Sequence, residues 1–219
     1  MSNLASYIDH TLLSPVARET DIRKLCEEAW IHQFKAVCIA PTYVAYTKEM
    51  LEFCPVKIEI ATVIGFPMGY STTAIKVAEA HDALANGATE LDVVMNVAQF
   101  KSMAYLSVRE EIRQLVEISH ENQAVLKVII ETAYLDSFDL YTACEICAEA
   151  GVDYVKTSTG YAPTGADLET VRKMRSILPE QIKIKASGGI RTYDQAIAFV
   201  EAGADRIGTS AGVSIVTPA

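Results

Sequence analysis

Val125-Leu126-Lys127-Val128-Ile129-Ile130 is the stretch on which the fold turns. It is short and β-branched, and it lacks the polar–apolar alternation of a strand with one wet face. It therefore reads as a strand buried on both sides, the pattern of a parallel sheet. The run extends over Val125–Glu131, and seven others resemble it: Tyr7–Leu12, Lys35–Ala40, Lys57–Ile64, Glu90–Asn96, Asp153–Thr157, Ile182–Ser187 and Asp205–Thr209. Amphipathic stretches lie between them. Ile22, Leu25, Cys26, Ala29 and Trp30 follow the i, i+3, i+4, i+7, i+8 face of a helix. Thr20 and Asp21 are its expected N-terminal caps. Val108, Ile112, Leu115, Val116 and Ser119 mark a second helix; Leu140, Ala143, Cys144 and Cys147 mark a third.

A weak internal repeat supports the alternation. Asn86-Gly87-Ala88-Thr89-Glu90-Leu91, Ala150-Gly151-Val152-Asp153-Tyr154-Val155 and Ala202-Gly203-Ala204-Asp205-Arg206-Ile207 share one plan. A helix ends, glycine takes a left-handed cap, a small apolar residue packs, and a strand begins. The junctions recur at about twice the ~30-residue length of a βα unit. No linker or shift of composition divides residues 1–219, so eight units in one domain predict an α/β fold, the (β/α)8 TIM barrel. An open doubly wound sheet is the alternative, but its GxGxxG fingerprint is missing near the N-terminus. A barrel places the site at the carboxyl ends of the strands.

Composition narrows the function. Of 219 residues, 50% are hydrophobic and 21% charged, which is ordinary globular usage. The formal charge of −9 argues against nucleic-acid partners, which need a basic stripe. No apolar run reaches the ~18 residues of a membrane helix. Met1-Ser2-Asn3-Leu4 lacks the order of a signal peptide, and the odd count of 5 cysteines suits a reducing compartment, so a cytoplasmic protein is expected. Cys144 and Cys147 form a CxxC inside a helical pattern and read as two buried small residues. The 4 histidines are scattered without zinc spacing.

Polar residues inside apolar runs point to chemistry, because a buried charge is costly unless paired. Asp92 lies in Leu91-Asp92-Val93-Val94, Lys127 in the opening stretch, Lys156 in Tyr154-Val155-Lys156-Thr157, and Lys183 and Lys185 in Ile182-Lys183-Ile184-Lys185-Ala186. Lys183 and Lys185 share a strand face, with Lys185 nearer the carboxyl end. Clustered amines favour a neutral member, which can attack a carbonyl and form a Schiff base. Three small-residue turns follow late strands: Thr157-Ser158-Thr159-Gly160, Ser187-Gly188-Gly189-Ile190 and Gly208-Thr209-Ser210-Ala211-Gly212. Such turns bind phosphate through backbone N–H groups.

At Val155-Lys156-Thr157-Ser158-Thr159-Gly160 the chain strongly resembles the deoxyribose-phosphate aldolases. The resemblance runs through Ile8-Asp9-His10-Thr11, Ala36-Val37-Cys38-Ile39, Thr62-Val63-Ile64-Gly65-Phe66-Pro67, Glu90-Leu91-Asp92-Val93-Val94, Leu126-Lys127-Val128-Ile129-Ile130-Glu131-Thr132, Lys185-Ala186-Ser187-Gly188-Gly189-Ile190-Arg191-Thr192 and Arg206-Ile207-Gly208-Thr209-Ser210-Ala211-Gly212. It implies a class I, metal-independent lyase with no cofactor. Such an aldolase reversibly cleaves 2-deoxy-D-ribose 5-phosphate to D-glyceraldehyde 3-phosphate and acetaldehyde, in deoxyribose phosphate and deoxyribonucleotide catabolism. It implies Lys156 as the Schiff-base lysine. Lys185 would be the second amine, whose charge favours the neutral form of Lys156 and which joins proton transfer. Asp92 would be the general acid/base, with Lys127 in support. Gly160, Gly188, Gly189 and Ser210 would bind phosphate, and Thr159 would contact the sugar-phosphate. The partners implied are small phosphosugars and aldehydes; a homodimer is an expected assembly, since the family commonly forms dimers. Tyr161 stands where many relatives have Lys or Phe, so no side-chain cation is expected there. The sequence stops at Val216-Thr217-Pro218-Ala219, where many relatives continue into a tail ending in Tyr.

Overall fold

A computed structural model describes residues 4–217. Residues 1–3 and 218–219, part of the leader and tail expectations above, lie outside the described residues. Strands β1 (Ile8–Leu12), β2 (Ala36–Ile39), β3 (Glu59–Ile64), β4 (Glu90–Val94), β5 (Val125–Ile129), β6 (Tyr154–Lys156), β7 (Lys183–Ser187) and β8 (Arg206–Thr209) close into a parallel barrel in chain order, with β1 against β8. Every predicted run contains one strand, trimmed at its ends where the chain turns. Helices α1 (Glu19–His32), α2 (Val44–Leu51), α3 (Thr73–Asn86), α4 (Val97–Lys101), α5 (Tyr105–Glu121), α6 (Ser137–Ala150), α7 (Leu168–Ile177), α8 (Tyr193–Glu201) and α9 (Gly212–Val216) lie in the connections. The fold is the (β/α)8 barrel expected.

The repeated junctions behave as their glycines dictate. Gly87, Gly151 and Gly203 have φ of 110°, 80° and 106°, a region costly for other residues. One expectation is corrected: α1 begins at Glu19, with Arg18 as its extended cap. Thr20 and Asp21 belong to the first turn, and Asp21 acts from there by accepting the Arg18 N–H at 2.9 Å.

Burial divides the strand residues into two compartments. Ile8, Val37, Ile39, Leu91, Val93, Leu126, Val128, Val155, Ile184 and Ile207 point outward into one apolar layer with the helix faces. Burying such a side chain contributes roughly 1.5–3 kcal/mol. The barrel interior differs. Cys38, Ala61 and Val63 form a small apolar patch with Leu13 and Phe66 on the β2–β3 side. The remaining circumference carries buried Asp9, Glu90, Asp92, Lys127, Lys156, Lys185 and Arg206. Within α6, burial pushes the Cys144 thiol up to about 12 and raises Cys147 as well. Thiols so reluctant to ionise are inert, and the CxxC is packing.

A second buried ion pair sits outside the barrel. Lys76 on α3 meets Glu111 on α5 at 2.5 Å, both almost fully covered. The same ammonium donates to the Val94 carbonyl at 2.8 Å, tying α3 to the end of β4. Removing one partner strands a buried charge. Lys76→Met should therefore cost about 3–5 kcal/mol in denaturant unfolding, and Lys76→Met with Glu111→Leu should recover most of that. An additive double mutant would show that the pair is not what the helices depend on.

Candidate active site

Parallel register brings the interior charges together. Asp92 on β4 lies opposite Lys127 on β5, and Lys156 on β6 opposite Lys185 on β7. Alternate strand residues face inward, so all four side chains converge. Asp92 Oδ1 accepts from Lys127 at 2.8 Å. Asp92 Oδ2 accepts from both Lys156 and Lys185, each at 2.7 Å. Lys185 also pairs with Asp9 Oδ2 at 2.5 Å, and Lys127 with Glu90 at 2.5 Å. Arg206 closes the circuit: its Nε donates to Asp9 at 2.7 Å and its terminal nitrogens grip Glu90 at 3.2 and 3.1 Å. Lys183, one pleat below Lys185, is exposed at the other mouth with its ammonium over the Tyr154 ring.

Four cations thus face three carboxylates. Burial pushes Asp92 up, but Lys127, Lys156 and Lys185 outweigh it and hold the carboxyl well below its usual range. Asp9 is likewise held low, by Arg206 and Lys185 against burial. Burial lowers Lys185 and Lys127, yet their carboxylate partners prevail and keep both above an ordinary lysine. Both are therefore committed ammonium groups. Lys156 differs in having one carboxylate partner, and it is the one of the three that lines an open cavity.

That cavity, about 480 Å³, lies at the carboxyl ends of the strands. Thr159, Gly160, Gly188, Gly189 and Ser210 line it together with Lys156, so the sequence-predicted binding residues share one wall. Gly188 is packed against Gly165, where an added Cβ would lie 2.2 Å from the Gly188 carbonyl oxygen. Gly189, at φ 82°, opens into space, with nothing within 4 Å of an added Cβ. Tyr161 donates its hydroxyl to the Leu13 carbonyl at 2.9 Å and stands edge-on to Phe66. Thr159 donates its hydroxyl to Glu131 at 2.5 Å, which leaves that oxygen only acceptor capacity toward a ligand. Cys38 borders the interior, and burial raises its thiol.

Asp9, Glu90, Arg206, Glu131 and Gly165 were not singled out from the sequence. Asp9 and Arg206 carry the signal that marked Asp92, a charge inside an apolar run. Gly165 carries none, since its close approach to Gly188 arises only in the folded chain. Among the described residues, no three His, Cys, Asp or Glu side chains are grouped to hold a metal ion.

A parallel barrel with amines gathered under an open, glycine-walled cavity is the architecture of an aldolase-type lyase. Residues 4–217 match the DeoC/LacD family aldolases, and the chain belongs to that family. It is 50% identical to the deoxyribose-phosphate aldolase of Thermococcus gammatolerans, over 98% of this chain and 95% of that protein. It is 49% identical to the protein of that name from Caldanaerobacter subterraneus, over 99% and 93%. Among solved structures, the deoxyribose phosphate aldolase of Aeropyrum pernix, described as tetrameric, superposes with a TM-score of 0.90 at 40% identity, over 97% of this chain and 89% of that one.

The depressed carboxylates set an acid limit. An unfolded Asp titrates near ~3.9, above Asp9 and Asp92 in the folded chain. Stability they contribute is complete above that value and is lost as pH falls through and below it. Each group should add about 1.4 kcal/mol per pH unit to the slope. Denaturant unfolding at a series of pH values below 4 should show this slope, and Asp92→Asn should reduce it by about one proton. An unaltered slope in that variant would place the acid sensitivity elsewhere.

Proposed function

We propose that the chain is a deoxyribose-phosphate aldolase of class I. It cleaves 2-deoxy-D-ribose 5-phosphate reversibly to D-glyceraldehyde 3-phosphate and acetaldehyde, and so serves deoxyribose phosphate catabolism. The observation that carries this is the shared Asp92 Oδ2: two ammonium groups lie 2.7 Å from one oxygen, and only the Lys156 side opens to the cavity.

Attack requires a free amine, and the charge count supports Lys156 as its source. When Lys156 gives up a proton, three cations remain facing three carboxylates. Its nitrogen adds to the C1 aldehyde, and loss of water leaves an iminium. A base removes the C3 hydroxyl proton, the C2–C3 bond breaks, and its electron pair moves into the C1–C2 enamine as glyceraldehyde 3-phosphate departs. Protonation at C2 and hydrolysis then release acetaldehyde and the amine. Asp92 is held ionised and so carries no proton of its own to give; it serves as acceptor and anchor, while Lys185 holds the proton of the pair. Lys127 neutralises the other Asp92 oxygen. Gly160, Gly188, Gly189 and Ser210 offer backbone N–H groups to the phosphate, with Thr159 beside them at the sugar-phosphate limb. The route uses no metal and no cofactor.

The five free cysteines support a reducing, cytoplasmic setting for a one-domain chain of residues 1–219. Among the described residues no helix is long and apolar enough to cross a membrane. The tetramer described for the Aeropyrum pernix protein supports self-association, and light scattering will decide between it and the homodimer of the family expectation.

Borohydride reduction in the presence of 2-deoxyribose 5-phosphate should leave a stable adduct on Lys156, seen by mass. Lys156→Ala should cut cleavage more than about a thousandfold, roughly 4 kcal/mol of barrier, with the fold intact. An adduct on another lysine, or on none, would overturn the assignment and favour a non-catalytic phosphosugar-binding barrel. Gly189→Val fills the open cavity wall and strains a left-handed residue. It should raise KM for the phosphorylated sugar and change turnover of 2-deoxyribose much less. Equal losses on both sugars would mean that this turn shapes the catalytic centre instead.

A further inference from the structure

Glu131 follows β5 and is 3% exposed. Among the described residues the other buried carboxylates, Asp9, Glu59, Glu90, Asp92 and Glu111, each pair with a cation, whereas Glu131 has none within ion-pair distance. Its backbone is left-handed at φ 53° and ψ 69°, unusual for a residue with a side chain. Both the burial and the conformation are costly, and nothing in the reaction above uses this group. Such costs are retained where the surroundings require the geometry.

What the geometry achieves is local. Ile130 donates to the Lys156 carbonyl at 3.0 Å, and Thr132 donates to the Thr157 carbonyl at 2.9 Å, so the chain around Glu131 is stitched to the end of β6. The carboxylate then accepts the Thr159 N–H at 3.3 and 3.2 Å and the Thr159 hydroxyl at 2.5 Å. The Thr159 oxygen in turn accepts the Tyr161 N–H at 3.0 Å. Gly160, at φ 87°, is thereby held between two anchored residues. Burial raises Glu131 against the Thr159 bonds and the more distant Lys156, and the group's bonds in the fold are those of a hydrogen-bond acceptor.

We propose that Glu131 is a positioning residue for the phosphate limb of the substrate: by clamping Thr159 it fixes the Thr157–Tyr161 turn in the cavity wall beside Gly188. The proposal rests on reading that wall as the phosphate site. Lys156 itself is held by the strand ladder, through bonds that do not involve the Glu131 side chain. Loss of the clamp should therefore weaken binding of the phosphorylated sugar and spare the chemical step. One carboxylate oxygen, Oε2, takes both the N–H and the hydroxyl. A glutamine oxygen can replace it, whereas leucine or the shorter aspartate cannot.

The test measures kcat and KM for 2-deoxyribose 5-phosphate and for 2-deoxyribose in wild type, Glu131→Gln, Glu131→Leu and Glu131→Asp. Rates are divided by the Lys156 sites that borohydride traps, so that unfolded protein does not count. Glu131→Leu should raise KM for the phosphorylated sugar about tenfold with kcat within about threefold, the signature of lost uniform binding. Its action on 2-deoxyribose should barely change, and Glu131→Gln should stay near wild type on both sugars. If Glu131→Leu does not fold, Glu131→Asp is expected to give the same KM rise. An unchanged KM, equal losses on both sugars, or a glutamine variant as impaired as the leucine one would overturn the proposal. A wild type without preference for the phosphorylated sugar would instead remove the phosphate reading on which it rests.

Discussion

One carboxylate oxygen shared by two ammonium groups organises the interior of this barrel. Asp92 Oδ2 lies 2.7 Å from Lys156 and from Lys185, while Oδ1 holds Lys127. Barrels of this type usually fill their interiors with layers of branched apolar side chains. Here the layers on β4 through β8 and on β1 are ionic. Taking each charge out of water costs several kcal/mol, and a pair near 4 Å returns about 4 kcal/mol at an effective dielectric of 20. Such a network roughly breaks even. Its yield is position: each side chain is pinned by another of opposite sign, and none can move without stranding its partner.

Stability must then come from elsewhere, and the outward faces of the same strands supply it. The outer layer of Ile, Val and Leu side chains against the helices is continuous around the barrel. The two compartments also divide the interior unevenly. The apolar patch of Cys38, Ala61, Val63, Leu13 and Phe66 stands on the β2–β3 side, across from the lysines on β6 and β7. An apolar wall opposite an amine limits the water that reaches it. That would matter for the proposed route, whose iminium must survive long enough for a carbon–carbon bond to break.

The strands were legible because their composition has one physical cause: a strand buried on both faces has no reason to alternate, and eight such runs recur. Asp92, Lys127, Lys156 and Lys185 were legible as violations of that pattern. Helix boundaries were less so, since Arg18 has no side-chain preference that marks it as a cap, whereas Asp21 does. The pairings that close the network were hidden. Asp9 and Arg206 are 197 residues apart in sequence, and barrel closure alone brings them together. Glu131 was hidden too, because its role depends on a backbone turn and on Thr159, 28 residues away. Gly165 carries no mark in the sequence, because its contact with Gly188 exists only in the folded chain.

The acidic character of the chain sits comfortably with an anionic substrate once distance is considered. The formal charge is −9, but screening at physiological salt confines its influence to about 8 Å. Within that range a ligand in the cavity meets the interior network, which carries four cations against three carboxylates when fully ionised. A phosphosugar entering at the carboxyl ends therefore reaches the Lys156 side of this network through turns of glycine, serine and threonine. The amine with a single carboxylate partner is also the one that the proposed reaction needs free. In the proposed reaction, Schiff-base formation would tie up Lys156 as an iminium and restore the positive charge that the free amine had surrendered. The Asp92 carboxylate is already in place beside that nitrogen, so the cation forms against a partner that need not reorganise. Fixed charge that precedes the reaction, rather than following it, is the electrostatic contribution a folded interior can make and bulk water cannot.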